Sequence, residues 1–314
     1  MTLPGTNRTV LPDLNGRTAV VTGANAGLGF QIALALAGGG CRTILGCRNA
    51  ERGGRAADEI RARVPGATVQ VASLDLADLA SVRRFAAAYR ARDSTLDLLV
   101  NNAGVVLVPE RRSTADGFEL HFGTNHLGHF ALTGLLMPAL LAQPGARVVT
   151  MSSLEVRWAR LAWRDLNSDR RYGLDRAYAQ SKLANLVFAL ELHRRLDAVG
   201  ADVRSIAAHP GWSATDQQQS PLIAALTRRF GQPAAQGALP ALYAATAADV
   251  PGGAFVGPSG WFGMRGQPIA VRPPAKACDA TAGRRLWAVS EELTSVRYPL
   301  PVPPADAHAD RLTA

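Results

Sequence analysis

A tyrosine and a lysine four residues apart, in Tyr178-Ala179-Gln180-Ser181-Lys182, can make a tunable proton donor. A free phenol, with a pKa near 10, keeps its proton at neutral pH and is a poor general base. On a helix, residues at i and i+4 share a face about 5–6 Å apart at Cβ, so the ammonium can sit beside the phenol. A unit charge about 4 Å away contributes ~1 kcal/mol in water and ~4 kcal/mol at an effective dielectric of 20. One pKa unit is about 1.4 kcal/mol, so only a sheltered lysine brings the phenol towards neutrality. The spacing alone decides nothing, because any helix can carry it. The chemistry needs a cleft, and partners from elsewhere in the chain.

A phosphate cradle is visible near the N-terminus. Thr22-Gly23-Ala24-Asn25-Ala26-Gly27-Leu28-Gly29 follows a short apolar run and leads into a helical pattern from Phe30. Glycines in that position let the backbone turn tightly and approach a pyrophosphate, and the next helix offers its unpaired N–H groups to the charge. An NAD site calls for an acid about 20 residues further on, where it binds the ribose hydroxyls. Here the second apolar run ends Leu45-Gly46-Cys47-Arg48-Asn49. A guanidinium at Arg48 suits a 2′-phosphate instead, so NADP(H) is expected in preference to NAD(H).

These residues must be held by a sheet. Short apolar runs alternate with longer amphipathic stretches, the pattern of repeated βα units. Strands are expected at Thr18–Thr22, Arg42–Cys47, Thr68–Leu74, Leu96–Asn101, Ala146–Ser152, Asp202–Ala208 and Gly253–Val256. Helices are expected near 27–38, 50–63, 78–92, 115–140, 175–199, 221–230 and 234–247, with another near 280–293. The expected α/β fold is a single doubly wound Rossmann domain over 16–258, with a seven-stranded parallel sheet in the order 3-2-1-4-5-6-7. Residues 1–15 and 259–314 read as extensions, the latter with one helix and a flexible tail.

Composition narrows the classes. The chain has 314 residues, 47% of them hydrophobic, which suffices for a substantial core. Its net charge of +9 comes from scattered Lys and Arg, without basic arms or zinc spacings, so nucleic-acid binding is not expected. Cys41, Cys47 and Cys278 show no disulfide framework and read as reduced thiols; Cys41 and Cys47 belong to packing. His126 and His129 lack ligand spacing, and no metal is expected. There is no apolar leader at the start and no run of 18 apolar residues, which implies a cytoplasmic chain without a membrane span.

Together the motifs resemble the short-chain dehydrogenase/reductase family over about residues 15–260. The resemblance rests on Thr22–Gly29, Asp75-Leu76, Asn101-Asn102-Ala103-Gly104, Asn125, Ser152-Ser153, Tyr178 with Lys182, and Pro210-Gly211, in that order. Phe122–Phe130 and Ala177–Asn185 look like the branch containing retinol dehydrogenases and related bacterial oxidoreductases. The resemblance implies cofactor contacts from the glycine loop (Gly23, Asn25, Ala26, Gly27, Leu28, Gly29), from Arg48 and Asn49, and from Asp75 and Leu76, with Asp75 on the adenine amine. Asn101, Asn102, Ala103 and Gly104 would support the adenine side and the central strand, Pro210 and Gly211 the nicotinamide pocket, and Thr215 the carboxamide. Asn125 would hold a water beside Lys182, which lowers the Tyr178 pKa and orients the ribose. Between two adjacent serines, the gap of 25 from Ser153 to Tyr178 resembles that branch, where the second serine is catalytic. Strand alternation alone says only that Ser152 and Ser153 face opposite ways.

The implied reaction is carbonyl–alcohol interconversion on a small molecule, with Tyr178 as proton donor. A C=C reduction of the protochlorophyllide reductase type and an NADP(H)-sensing scaffold are the alternatives. Trp158, Trp163 and Tyr172 in the loop 154–177, and Trp212 in the loop 212–232, are expected at the cleft mouth, suiting a hydrophobic or ring-bearing substrate. Residues 216–230 read as a lid. A homo-oligomer is left open.

Overall fold

A computed structural model describes residues 11–106, 108–212 and 232–300. Eight strands form one sheet: β1 (Thr18–Thr22), β2 (Arg42–Cys47), β3 (Val69–Ser73), β4 (Leu98–Asn101), β5 (Ala146–Met151), β6 (Val203–Ala208), β7 (Phe255–Gly260) and β8 (Arg265–Ala270), in the order β3-β2-β1-β4-β5-β6-β7-β8. The first seven are parallel, and β8 runs antiparallel to β7. The principal helices are α1 (Gly27–Gly38), α2 (Ala50–Arg63), α3 (Leu79–Arg92), α4 (Gly128–Leu141), α5 (Leu174–Ala198), α6 (Leu239–Thr246) and α7 (Ala280–Thr294).

The central strands bury both faces, as a parallel sheet between helix layers must. Alternation separates the two sides: Ala19, Val21, Leu98 and Val100 join one core with α1 and α6, while Val20, Leu99 and Val148 join the other with α3, α4 and α5. Cys41 and Cys47 lie in the first of these cores. Burial pushes their thiols up to about 12 and about 11, so neither is a ready nucleophile.

The edge of the sheet departs from expectation. Gly257-Pro258-Ser259-Gly260 continues β7 rather than ending it, and a 3-10 turn at Trp261–Gly263 returns the chain as β8, giving eight strands instead of seven. A short strand whose side chains are mostly exposed carries little apolar signal, so periodicity passes over it. Residues 259–300 thus belong to the fold. Trp287 of α7 stacks on Phe188 and packs edge-on to Phe130, Arg195 of α5 lies 4.1 Å over its ring, and the Tyr298 hydroxyl donates to the Phe130 carbonyl at 2.6 Å. The part from α7 to Tyr298 packs behind α4 and α5. At the other end Leu14 is buried against the core, so the first extension is also docked in part.

The helix expected over 115–140 begins later and contains a π-helical turn, Phe122–Leu127, before α4. Asn125 sits inside that turn. The π geometry widens the backbone ring at one point, a feature that concentrates at functional sites. The helix expected near 221–230 lies outside the described residues.

Candidate active site

A cleft of about 390 Å³ opens at the carboxyl ends of β1, β2, β4 and β5, where ligands bind in open α/β sheets. Its walls include the whole expected glycine turn (Gly23, Asn25, Ala26, Gly27, Leu28, Gly29), then Arg48, Asn49, Asp75, Leu76, Asn102, Ala103, Gly104, Tyr178, Lys182 and Pro210. Thr215 and the expected lid lie outside the described residues.

The N-terminus of α1 differs from its neighbours. The side chains of Asn49 and Asp78 cap α2 and α3, accepting from Arg52 N and Ala80 N at 2.8 and 2.9 Å. Ala26 gives α1 no such cap, and its first turn holds no acid. The free N–H groups and positive dipole end face the cleft, which suits an anion. Gly29 is required by close approach: a Cβ there would run into the Gly23 carbonyl and lie 2.5 Å from Asn102 Nδ2. A pyrophosphate therefore fits the residues present. At the far side Arg48 is joined by Arg52, a wall residue that the sequence reading passed over. Its position in the first turn of α2, four residues after Arg48, was the available signal.

Asn102 and Ala103 are tied to β1. Thr22 Oγ1 accepts the Asn102 and Ala103 N–H groups, each at 2.9 Å, and Asn102 Nδ2 donates to the Thr22 carbonyl at 2.9 Å. The same Thr22 hydroxyl meets His129 Nε2 at 2.8 Å, and His129 Nδ1 meets the Asn125 carbonyl at 2.9 Å. Burial lowers the His129 pKa to about 4, so the ring is neutral and bridges β1 to the π-helical turn by donating from Nδ1 and accepting at Nε2. His126 is also buried, meeting Ser290 Oγ at 2.8 Å, and neither histidine belongs to a metal-like cluster among the described residues.

Asn125 is one layer beneath the cleft. Its Oδ1 accepts from Val105 N at 2.8 Å, and its Nδ2 donates to the Val105 carbonyl at 3.1 Å and to Ser181 Oγ at 3.0 Å. Its side chain is thereby held by the protein. Asn125 Oδ1 and Lys182 Nζ nonetheless converge on Gly104, where a Cβ would lie 3.2 and 3.3 Å from them.

The two serines part company. Ser152 borders the cleft, yet its hydroxyl donates to the Lys182 carbonyl at 2.9 Å. The Ser153 hydroxyl donates to the Glu155 carboxylate, and the Ser153 side chain is near enough to Tyr178 to oppose the rise in its pKa. The 3-10 turn Leu154–Arg157, which starts just after Ser153, carries Glu155 back towards the tyrosine. Nothing in the spacing had marked Glu155.

Lys182 is buried, with Nζ donating to the Met151 carbonyl at 3.3 Å and standing 5.8 Å from the Tyr178 ring centre. Burial pulls its pKa to about 8, opposed by the Glu155 carboxylate. The expectation that lysine lowers the phenol is overturned here. Burial pushes Tyr178 above its ordinary value, Glu155 adds to the rise, and only the Ser153 side chain opposes them. Desolvation of the phenolate by burial sets the direction of the shift.

Trp158, Trp163, Tyr172, Trp212, Gly211 and Ser153 are not among the cleft walls. Trp158 is 56% exposed, Arg285 stacks on Trp163 at 4.5 Å, and the Tyr172 hydroxyl pins the Val108 carbonyl. They mostly fasten loops. Trp212 and Gly211 join the β7–β8 turn: Trp212 N donates to the Met264 carbonyl at 2.9 Å, and Gly211, at φ 67°, passes so close to that carbonyl that a side chain would collide.

The family profile described as short chain dehydrogenase matches residues 17–222. Human retinol dehydrogenase 12 is 39% identical over 290 residues, covering 91% of this chain and 88% of its own. Mouse retinol dehydrogenase 11 is 45% identical over 198 residues, 63% of this chain and 62% of its own. A solved structure of a protein from Mycobacterium Paratuberculosis is 45% identical with a TM-score of 0.79, covering 93% of this chain and 98% of that one. On this sequence, sheet and site, the chain belongs to the short chain dehydrogenase family, in its retinol dehydrogenase-like branch, and is an oxidoreductase that uses a nicotinamide cofactor.

Proposed function

We propose that this enzyme interconverts a carbonyl and an alcohol on a hydrophobic or ring-bearing small molecule, with NADP(H) preferred over NAD(H). The observation that carries the reading is that Tyr178 and Lys182 wall one end of a cleft whose other end presents Arg48 and Arg52, with Ser153 near Tyr178. The cofactor, when bound, supplies the hydride chemistry. Arg48 and Arg52 would receive a 2′-phosphate, and the uncapped start of α1 the pyrophosphate.

At the reacting end Tyr178 donates its proton to the substrate oxygen, and a phenol held in its protonated form is suited to that direction. Ser153 hydrogen-bonds the same oxygen and stabilises the charge that develops there. Lys182 orients the ribose and returns a proton to Tyr178. The Asn125 main-chain carbonyl, which uses one lone pair for His129, has a second for a water beside Lys182.

The relatives named retinol dehydrogenase support a hydrophobic alcohol or aldehyde as substrate. Among the described residues no helix is long and apolar enough to cross a membrane. A screen of ketones, aldehydes and hydrophobic alcohols, retinol included, followed at the nicotinamide absorbance band with both cofactors, tests the reading. Turnover of a carbonyl or alcohol with NADP(H) ahead of NAD(H) is expected; turnover with NAD(H) ahead, or none with any member, contradicts it.

A further inference from the structure

The loop between β5 and α5 is fastened by side chains that the mechanism above does not use. Gln180 lies between Tyr178 and Lys182 on α5 and is buried. Both ends of its amide go to the loop: Oε1 accepts from Ala162 N at 2.8 Å, and Nε2 donates to the Leu166 carbonyl at 2.9 Å. The next residue, Asn167, turns to a different part of the chain. Its Oδ1 accepts from Glu119 N, and its carbonyl accepts from Arg111 Nε at 3.2 Å. Further along, the Tyr172 hydroxyl donates to the Val108 carbonyl.

Both sets of anchors lead to reacting groups. Val108 and Glu119 lie between the cleft walls Val105 and Val106 and the π-helical turn. The buried Glu119 carboxylate accepts from His121 N at 2.9 Å and Phe122 N at 2.8 Å, and meets His121 Nδ1 at 2.8 Å. It thereby holds the start of the turn that carries Asn125. The His121 ring stands edge-on to Tyr178, with ring centres 6.1 Å apart. Asn125 already joins this stretch to α5, through Val105 on one side and Ser181 Oγ on the other. The loop is a second tie between the same two parts of the molecule.

The backbone at this tie is strained. Ser168, buried and not a glycine, has φ 51°, in the left-handed region that residues with side chains rarely adopt. Such a conformation persists only where its surroundings over-determine it, and it is found where geometry matters to function. Here the Asp165 carboxylate accepts from the N–H groups of Asp169, Arg170 and Arg171 at 2.8, 3.2 and 3.2 Å, and Arg111 pairs with Asp169 at 2.7 Å.

We propose that Gln180, Asn167 and Tyr172 are positioning residues for the reaction proposed above, on which this inference rests: through the loop 162–172 they fix α5, with Tyr178 and Lys182, against the cleft wall at Val105 and Val106. A misplacement of about 1 Å between reacting groups costs on the order of 10²-fold in rate, so a small slip of α5 is felt at the substrate oxygen. The glycine turn, Arg48 and Arg52 make none of these bonds, so cofactor affinity does not depend on them.

The test is steady-state kinetics of the full chain on a carbonyl or alcohol that the wild type turns over, beside NADPH binding read by nicotinamide fluorescence. Gln180→Met keeps the length of the side chain without its hydrogen bonds, Asn167→Ala removes the second anchor, and Tyr172→Phe removes one hydroxyl. Gln180→Met and Asn167→Ala should each lower kcat by about tenfold or more, with NADPH affinity little changed. Because both act through one loop, the double variant should lie within about twofold of the weaker single variant. Tyr172→Phe should lower kcat by about two- to tenfold, the worth of one ordinary hydrogen bond. Where circular dichroism shows that either of the other variants does not fold, Tyr172→Phe decides. Wild-type kcat in the folded variants, a loss of NADPH affinity as large as the loss of kcat, or losses that multiply in the double variant would each overturn the proposal. A wild type that turns over no member of the screen fails the carbonyl reading, whereas an active wild type matched by its variants fails this proposal alone.

Discussion

The two ends of the cleft are built by different means. At the dinucleotide end the working groups are largely backbone, an uncapped helix start, a glycine turn and a peptide edge approached by Asn102, with the side chains of Arg48 and Arg52 at its far side. At the reacting end they are side chains from three separate elements, with Asn125 in the π-helical turn, Ser153 and Glu155 after β5, and Tyr178 and Lys182 on α5. Backbone geometry is set over a few adjacent residues, so substitution there acts on binding. Converging side chains depend on how elements pack, so substitution there acts on chemistry.

Ser153→Ala should give a large effect, second to that of Tyr178→Phe. Removing one donor to the developing oxyanion costs about 10²–10³-fold in kcat, whereas Ser152→Ala, which loses only a bond to the Lys182 carbonyl, should leave kcat within about tenfold, the cost of one ordinary hydrogen bond. Steady-state kinetics with both variants checks this. The reverse ranking would assign the substrate oxygen to Ser152.

Arg48→Ala should act at the other end. Losing a charge-assisted bond worth about 1.5–3 kcal/mol raises KM for NADPH by about tenfold or more, with KM for NADH and kcat little changed. An unchanged ratio of the two KM values would remove the 2′-phosphate argument. Arg52 stands in the same wall, so the double variant should shift the ratio further.

The same division explains what was legible in the sequence. The glycine turn, Arg48 and the first strands are local patterns, and they lie where the residues implied. Tyr178 and Lys182 were legible as a pair through helix spacing, but the direction of the phenol shift was not, because it depends on burial and on Glu155. His129 is an example of a second kind. Its partners Thr22 and Asn125 are distant from each other in sequence, and only the fold brings β1 against the π-helical turn. The aromatic residues of 154–177 were misplaced because composition says that a loop holds rings, not whether they face a ligand or fasten the loop. The strand β8 was missed because its exposed side chains lack an apolar alternation.

The smallest predicted effect concerns stability and links the two ends. His126, His129 and His209 are buried, with pKa values lowered to about 3, 4 and 4 from 6.5. In each case the unfolded chain binds the proton first. The stability contribution is therefore complete above about pH 6.5, falls as pH drops and is lost through about pH 4 and below, at up to about 1.4 kcal/mol per pH unit for each ring. Urea unfolding across that window should show this acid slope, and His129→Gln should make it shallower. An identical slope in the variant would mean that the Thr22–Asn125 bridge does not depend on a neutral imidazole.

Tyr178→Phe tests the central claim most directly, because it removes one oxygen and leaves the cleft wall. NADPH binding, read by nicotinamide fluorescence, and carbonyl turnover should be measured on the same preparation. The account predicts unchanged binding with turnover lowered by about 10²–10⁴-fold, the usual contribution of a positioned acid. Turnover close to wild type with intact NADPH binding would contradict it.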